Sequence, residues 1–452
     1  MSSASTSTPV RLDRSLSLWQ LLVMGVIMVQ PTAPMPPFGA ISAASGGHAV
    51  STVLIAMCAM MLTALSYGRM ARAYPFAGSA YTYVAREIHP ALGFLTGWSL
   101  LLDYIVNPLI CTIWCAKAII GLFPGVPYAA GALFFALLFT MLNMRGIRAT
   151  ARTNEVLAAA MGTVVVWMVV ASVRYLAARG PLSFADLLIP FYDPTRFTVA
   201  QLSTGASVAV LTYIGFDGIS TLSEEVHDPK RTILRAIVGT CFIIGILSAI
   251  EVYVAQLVWP ASKPYPDLDT AYIHVAGLAG GPLLYSVMSW TLIVATIGSA
   301  SGAMLAGARL LYGMGRDSAL PKAFFGYLEP HRRIPSRNVL LIGIVCGVGA
   351  FLISYQLGAE LLNFGALIGF MGVNLSSLLH DWFRAPARGA SRRWHHLLAP
   401  AGGFTVCFYL WISLNWKARL IGIVWVLFGL AYGAWKTGGF RREISTFAEV
   451  SE

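Results

Sequence analysis

Asp217 lies in the run Tyr213-Ile214-Gly215-Phe216-Asp217-Gly218, a carboxylate flanked by glycines inside a long apolar stretch. A carboxylate in apolar surroundings is costly without a partner, and its natural partner is a cation such as an ammonium group. Gly215 and Gly218 free the backbone to unwind and turn carbonyl oxygens toward the same cation. The same position also suits a helix cap, where Asp accepts from first-turn amides. A second unusual run is Gln30-Pro31-Thr32-Ala33-Pro34-Met35-Pro36-Pro37. Each proline lacks an amide hydrogen and clashes with the turn before it, so a regular helix cannot pass through. Asp103 and Tyr104 lie about thirteen residues into another apolar stretch, ~20 Å along a helix rising ~1.5 Å per residue. Trp98, Tyr104, Tyr213 and Phe216 are candidates for an aromatic cage around a cation, and each equally suits packing. Glu251, roughly eight residues or ~12 Å from the end of its stretch, is a candidate proton carrier. Glu224 and Glu225 stand where the Asp217 stretch ends, as a gate paired with Arg or as a solvated helix end.

The elements that must position these residues follow from composition. Of 452 residues, 57% are hydrophobic and 11% charged. Soluble domains average about 25% charged, so a soluble enzyme, a disordered chain and a coiled coil are excluded. The apolar segments fall at 17–44, 49–72, 90–122, 127–144, 154–177, 199–227, 233–259, 282–312, 337–355, 359–383, 397–415 and 419–436. Most approach the ~20 residues a membrane-spanning helix needs. Twelve spans put both termini on one side. With that side cytoplasmic, 24 of the 31 Lys and Arg fall on cytoplasmic segments, as the positive-inside rule requires. The net charge of +11 is then a topology signal, and nucleic acid is not an expected partner. The six cysteines all lie in apolar segments without metal-ligand spacing. The eight histidines carry no His-Glu-x-x-His pattern. Neither an enzyme nor a cofactor is expected.

The interrupted runs fall in the first and sixth spans, five apart. Interrupted segments at matching positions of two halves are the strongest sequence pointer to a transporter's binding site.

Several runs then carry a resemblance. PFAGSAYTY at 75–83, Gly97-Trp98 with Asp103-Tyr104, GFDGISTLSEEVHDPKR at 215–231, RLLYGMGRDSALP at 309–321 and LNFGA at 362–366 occur in this order. Together they resemble the amino acid–polyamine–organocation (APC) permeases over residues 15–435. Within that superfamily the likeness is greatest to bacterial putrescine importers, through SAYTY, GFD and LSEE. The resemblance implies an all-α membrane protein with a 5+5 inverted-repeat (LeuT-like) core and broken first and sixth helices. It implies an N-terminal tail at 1–15, a transport core at 16–383, two further helices at 384–436 and a C-terminal tail at 437–452. Substrate would bind between the two broken helices, with walls from the third, eighth and tenth.

In such permeases a glycine- and serine-rich turn in the first span holds a substrate carboxylate through its amides. Here prolines replace much of that turn, and Thr32, Ala33 and Met35 keep the remaining amide hydrogens. The reading is a secondary transporter of small amines or amino acids across the inner membrane. Putrescine import coupled to protons leads; a neutral or cationic amino acid permease or exchanger is the alternative, ahead of a sensor. Membrane lipid and the small-molecule substrate are the expected partners, with a proton as co-substrate through Asp217, Glu225 or Glu251. Some proton-coupled relatives carry a lysine in the fifth span; that position falls at or near Met161 here.

Overall fold

The computed structural model describes residues 17–74, 79–145, 151–226, 228–316, 320–332, 334–384 and 393–438. The tails expected at 1–15 and 437–452 lie outside these residues, apart from Thr437 and Gly438. Every regular element described is helical.

The first apolar segment is two helices. α1 (Leu18–Val29) starts at a capping box in which Ser17 and Gln20 satisfy each other's amides. It ends at Gln30, which takes φ 79°, a region that non-glycine residues enter only when the surroundings hold them there. The Gln30 side chain is held by a 2.9 Å bond from its Nε2 to the Ala295 carbonyl. Residues 31–37 run as turns, and α2 (Phe38–Ala44) resumes where the prolines stop.

Next come α3 (Ala49–Ala73), the nine-residue α4 (Ser79–Glu87) and the long α5 (Pro90–Leu122). Pro90 opens α5 at a position where its missing amide costs nothing. α6 (Tyr128–Met144), α7 (Ala151–Ala178) and the short α8 (Phe184–Leu188) follow.

The sixth apolar segment also divides. α9 (Val199–Ala209), capped by Thr198, tightens into a 3-10 turn at Val210–Tyr213. Gly215 breaks the chain at φ 115°, and a second 3-10 run covers Phe216–Glu225. Runs of that length are uncommon because the i→i+3 bonds are poorly aligned.

α10 (Pro229–Val258) is unbroken, whereas the continuous helical trace α11 (Ala271–Arg316) bends at Gly281-Pro282. Pro282 has no N–H to donate to the preceding turn, and the non-helical Gly281 before it sets the start of the eighth apolar segment at residue 282. α12 (Lys322–Phe325), α13 (Ser336–Leu352) and α14 (Tyr355–Leu378) lead to a π turn at Leu379–Phe383. α15 (His395–Ile412) and α16 (Trp416–Thr437) complete the chain.

Among the described residues, seven helices are long and apolar enough to cross a membrane: α3, α5, α10, α11, α14, the Glu155–Ala178 part of α7, and α16. α1, α6 and α13 are shorter apolar helices. α14 packs between α5, α3 and α15, and α10 lies along α3 and α1. Large apolar side chains such as Leu133, Phe134, Val166 and Phe428 stay exposed on the outer faces, as expected of a surface solvated by lipid.

Candidate functional site

The two interruptions meet. A side chain on Gly215 would place its Cβ 3.1 Å from the Met28 carbonyl oxygen in the last turn of α1. Its positive φ excludes other residues as well. The end of α9 leaves carbonyls without regular helical partners, and Asn363 on α14 donates to two of them, Ser207 O at 2.8 Å and Val208 O at 3.2 Å. Asn363 belongs to the LNFGA run; an amide inside an apolar helix was the signal for this role.

Asp217 is the second residue of the lower 3-10 run, and the cap position is Gly215. The helix-cap alternative is therefore replaced by a first-turn placement, where a carboxylate meets the positive end of the run. Backbone amides of Gly215, Asp217 itself and Gly218 approach the carboxylate. Asp103 and Tyr104 on α5 lie within electrostatic reach of it. So do Tyr67 on α3 and Tyr83 on α4, which the sequence reading did not single out. A tyrosine in the middle of an apolar span was the available signal for Tyr67.

Phe216 packs into this aromatic group. Its ring centroid is 5.7 Å from Tyr67 and 5.4 Å from Phe370, and Tyr67 meets Tyr83 at 6.3 Å. Tyr67 is fully buried, and its hydroxyl has no hydrogen-bond partner among the described residues. A buried hydroxyl without a partner near a carboxylate is a candidate for bonding a ligand.

At the first interruption the amides are turned inward. Ala33 N–H donates to Gln30 O at 3.2 Å and Met35 N–H to Thr32 O at 3.1 Å. Two of the three amides expected to be free are consumed by the turns that the prolines impose. The Thr32 hydroxyl donates to Met161 Sδ at 3.5 Å, so α7 touches this break.

Two aromatic candidates sit elsewhere. Trp98 stacks on Trp425 of α16 at 4.8 Å, and each indole N–H donates to the other residue's carbonyl, at 2.9 and 3.0 Å. A helix turns ~100° per residue, so Trp98 points away from the Asp103 face. The Tyr213 hydroxyl donates to Val53 O at 2.8 Å and fastens the sixth segment to α3.

Glu251 is fully buried on α10, and neither carboxylate oxygen has a hydrogen-bond partner among the described residues. Tyr272 reaches only its backbone oxygen, at 3.3 Å. The side chains of Glu224 and Glu225 lie outside the described residues.

Near the C-terminal end of α5, Lys117 bridges Asp269 at 2.8 Å and Asp267 at 3.1 Å. The loop carrying these acids lies over α2, where the Leu268 carbonyl comes so close to Gly39 that a Cβ would stand 1.9 Å away. A cavity of about 550 Å³ opens beside that loop, lined by Ser42, Arg196, Gln201, Lys263 and Tyr265; it is distant in the fold from the Asp217 group. No three His, Cys, Asp or Glu side chains among the described residues gather as a metal would require.

Comparison with known proteins gives the family. The chain is 34% identical over 98% of both chains to the low-affinity putrescine importer PlaP of Escherichia coli. It is 27% identical over 93% of both chains to the branched-chain amino acid permease BcaP of Lactococcus lactis. It is 26% identical to the vacuolar cationic amino acid transporter 4 of Arabidopsis thaliana, over 82% of this chain and 64% of that one. These relatives are transporters and not enzymes. The profile of the amino acid permease family matches residues 38–450, and the chain belongs to that family, within the APC superfamily of membrane permeases.

Proposed function

We propose that this permease imports a small diamine of the putrescine class across the inner membrane by alternating access, coupled to protons. The observation that carries the reading is the contrast at the site: Asp217 and Asp103 lie within electrostatic reach of one another, while the first interruption has no charge and spends its amides on itself. A diamine presents an ammonium group at each end and no carboxylate. Two acids near one another offer a partner to each ammonium group, and the aromatic group of Tyr67, Tyr104 and Phe216 suits a cation and its alkyl chain. The likeness to a putrescine importer supports the same substrate class.

In this reading the chain has twelve spans, with α1/α2 and α9 plus its 3-10 continuation as the broken first and sixth. Spans one to five and six to ten form inverted repeats, α15 and α16 stand outside them, and both termini are cytoplasmic. Glu251 is the candidate proton site, since its carboxylate has no hydrogen-bond partner among the described residues. Lipid solvates the exposed apolar faces.

A second reading, a neutral or cationic amino acid permease or exchanger, is favoured by one feature. The Thr32 amide is the one of the three that is not used in the turns, and it offers a single donor to a substrate carboxylate. Uptake of labelled putrescine into proteoliposomes under an inward proton gradient separates the readings. Saturable uptake that excess amino acids leave unchanged is the expected result. Uptake of amino acids with none of putrescine overturns it.

A further inference from the structure

α4 joins the Asp217 group to a cluster that the transport reading leaves unused. At its start, the Ser79 hydroxyl is 3.1 Å from that of Ser220, and Ser220 donates to the Asp217 backbone oxygen at 2.6 Å. In its middle, Tyr83 is fully buried beside Ser220, against Tyr67 and within electrostatic reach of Asp217. At its end, Glu87 is 0% exposed although it is a carboxylate. His380 Nδ1 and an Arg384 guanidinium nitrogen each bond it at 2.6 Å, and the Tyr74 hydroxyl donates to it as well. His380 stands in the π turn that ends α14. Such turns carry an extra residue and swing side chains out of helical register, which here aims the imidazole at α4.

Burial alone would raise the Glu87 pKa. Hydrogen bonds from His380 and Tyr74 and the charges of His380 and Arg384 outweigh it and hold the group at about 2. The carboxylate is therefore ionised at any cellular pH. Separating it from its partners leaves a buried charge uncompensated, so the cluster is either made or fully broken.

We propose that α4 is the removable floor of the amine site on its cytoplasmic side, presenting Tyr83 to the site, and that Glu87 with His380, Arg384 and Tyr74 is the latch that keeps this floor shut. The proposal rests on the reading of Asp217 as the site and on the proposed orientation. α4 spans from the lower half of the sixth segment to the end of α14. Releasing the contacts of Glu87 allows the nine residues of α4 to tilt about the short Ile88-His89 link to α5, which lifts Ser79 and Tyr83 from Ser220 beneath Asp217. Glu87 is a positioning residue here, acting on the substrate only through Tyr83.

The test is accessibility. Ser220→Cys is introduced with Cys58→Ser, because Cys58 is the exposed native thiol among six otherwise buried ones. A membrane-impermeant maleimide is then applied to the cytoplasmic face of inside-out vesicles. Glu87→Gln is expected to raise the labelling rate about tenfold. Arg384→Gln, at a half-exposed side chain whose loss leaves the interior packed, is expected to raise it several-fold. Should Glu87→Gln fail to fold, Arg384→Gln decides alone. Unchanged labelling in a folded variant overturns the latch. Labelling requires no substrate, so a wrong substrate assignment leaves a positive result standing, and putrescine uptake with unchanged labelling removes the floor and keeps the transporter.

Discussion

At the first interruption the chain is turned by four prolines and by Gln30 at φ 79°; at the sixth it is turned by Gly215 at φ 115°. The two lie against each other, Gly215 on the Met28 carbonyl, yet their polar groups face different ways. Proline stiffens the first break, and the remaining Ala33 and Met35 amides close tight turns on the Gln30 and Thr32 carbonyls. Glycine turns the sixth break, and Asp217 there lies within electrostatic reach of Asp103, Tyr104, Tyr67 and Tyr83. One side of the site is thus a nearly neutral wall and the other carries the charge. The proposed diamine, cationic and without a carboxylate to place against α1 and α2, matches this division.

Three substitutions test how far that contrast holds. Asp217→Asn removes the charge from the sixth break. A buried ammonium left without its counter-ion costs roughly 2–5 kcal/mol, so kcat/KM for putrescine should fall about 100-fold or more, with the protein still folded by thermal melting. Full activity in this variant would sink the assignment of the site. Asp103→Asn removes the second acid only. The expected change is about a tenfold rise in KM for a diamine, with little change for a monoamine of equal length; an equal rise for both would make Asp103 a structural acid. Trp98→Phe is the smallest. It deletes the bond to Trp425 O, worth about 1 kcal/mol, so the melting temperature should drop by a degree or two while KM stays within about twofold. A tenfold rise in KM would return Trp98 to the site.

Much of the architecture was legible in hydropathy alone. The segments at 49–72, 90–122 and 127–144 coincide within a residue or so with Ala49–Ala73, Pro90–Leu122 and Tyr128–Met144. A run of apolar residues long enough to cross a bilayer has to bond its own backbone, and a helix does so locally. The breaks were legible for the same local reason: proline lacks the donor and glycine lacks the restraint. Asp217 stood out because a carboxylate in an apolar stretch is rare and costly. The short α4 was not visible because it lies in the polar stretch between two apolar segments, and the 3-10 geometry below Gly215 because nothing in its composition separates it from a helix.

What the chain order alone determined was therefore the helices, their interruptions and the charge that needs a partner, all consequences of bonding within a few residues. Tertiary structure decided which faces meet. It engaged Trp98 with α16 and Tyr213 with α3, and it brought Tyr67, Tyr83 and Asp103 within electrostatic reach of Asp217. It also tied Glu87 to partners 293 and 297 residues away along the chain. Those placements depend on the rotation of one helix against another, which packing sets across the whole bundle and no local run of residues encodes.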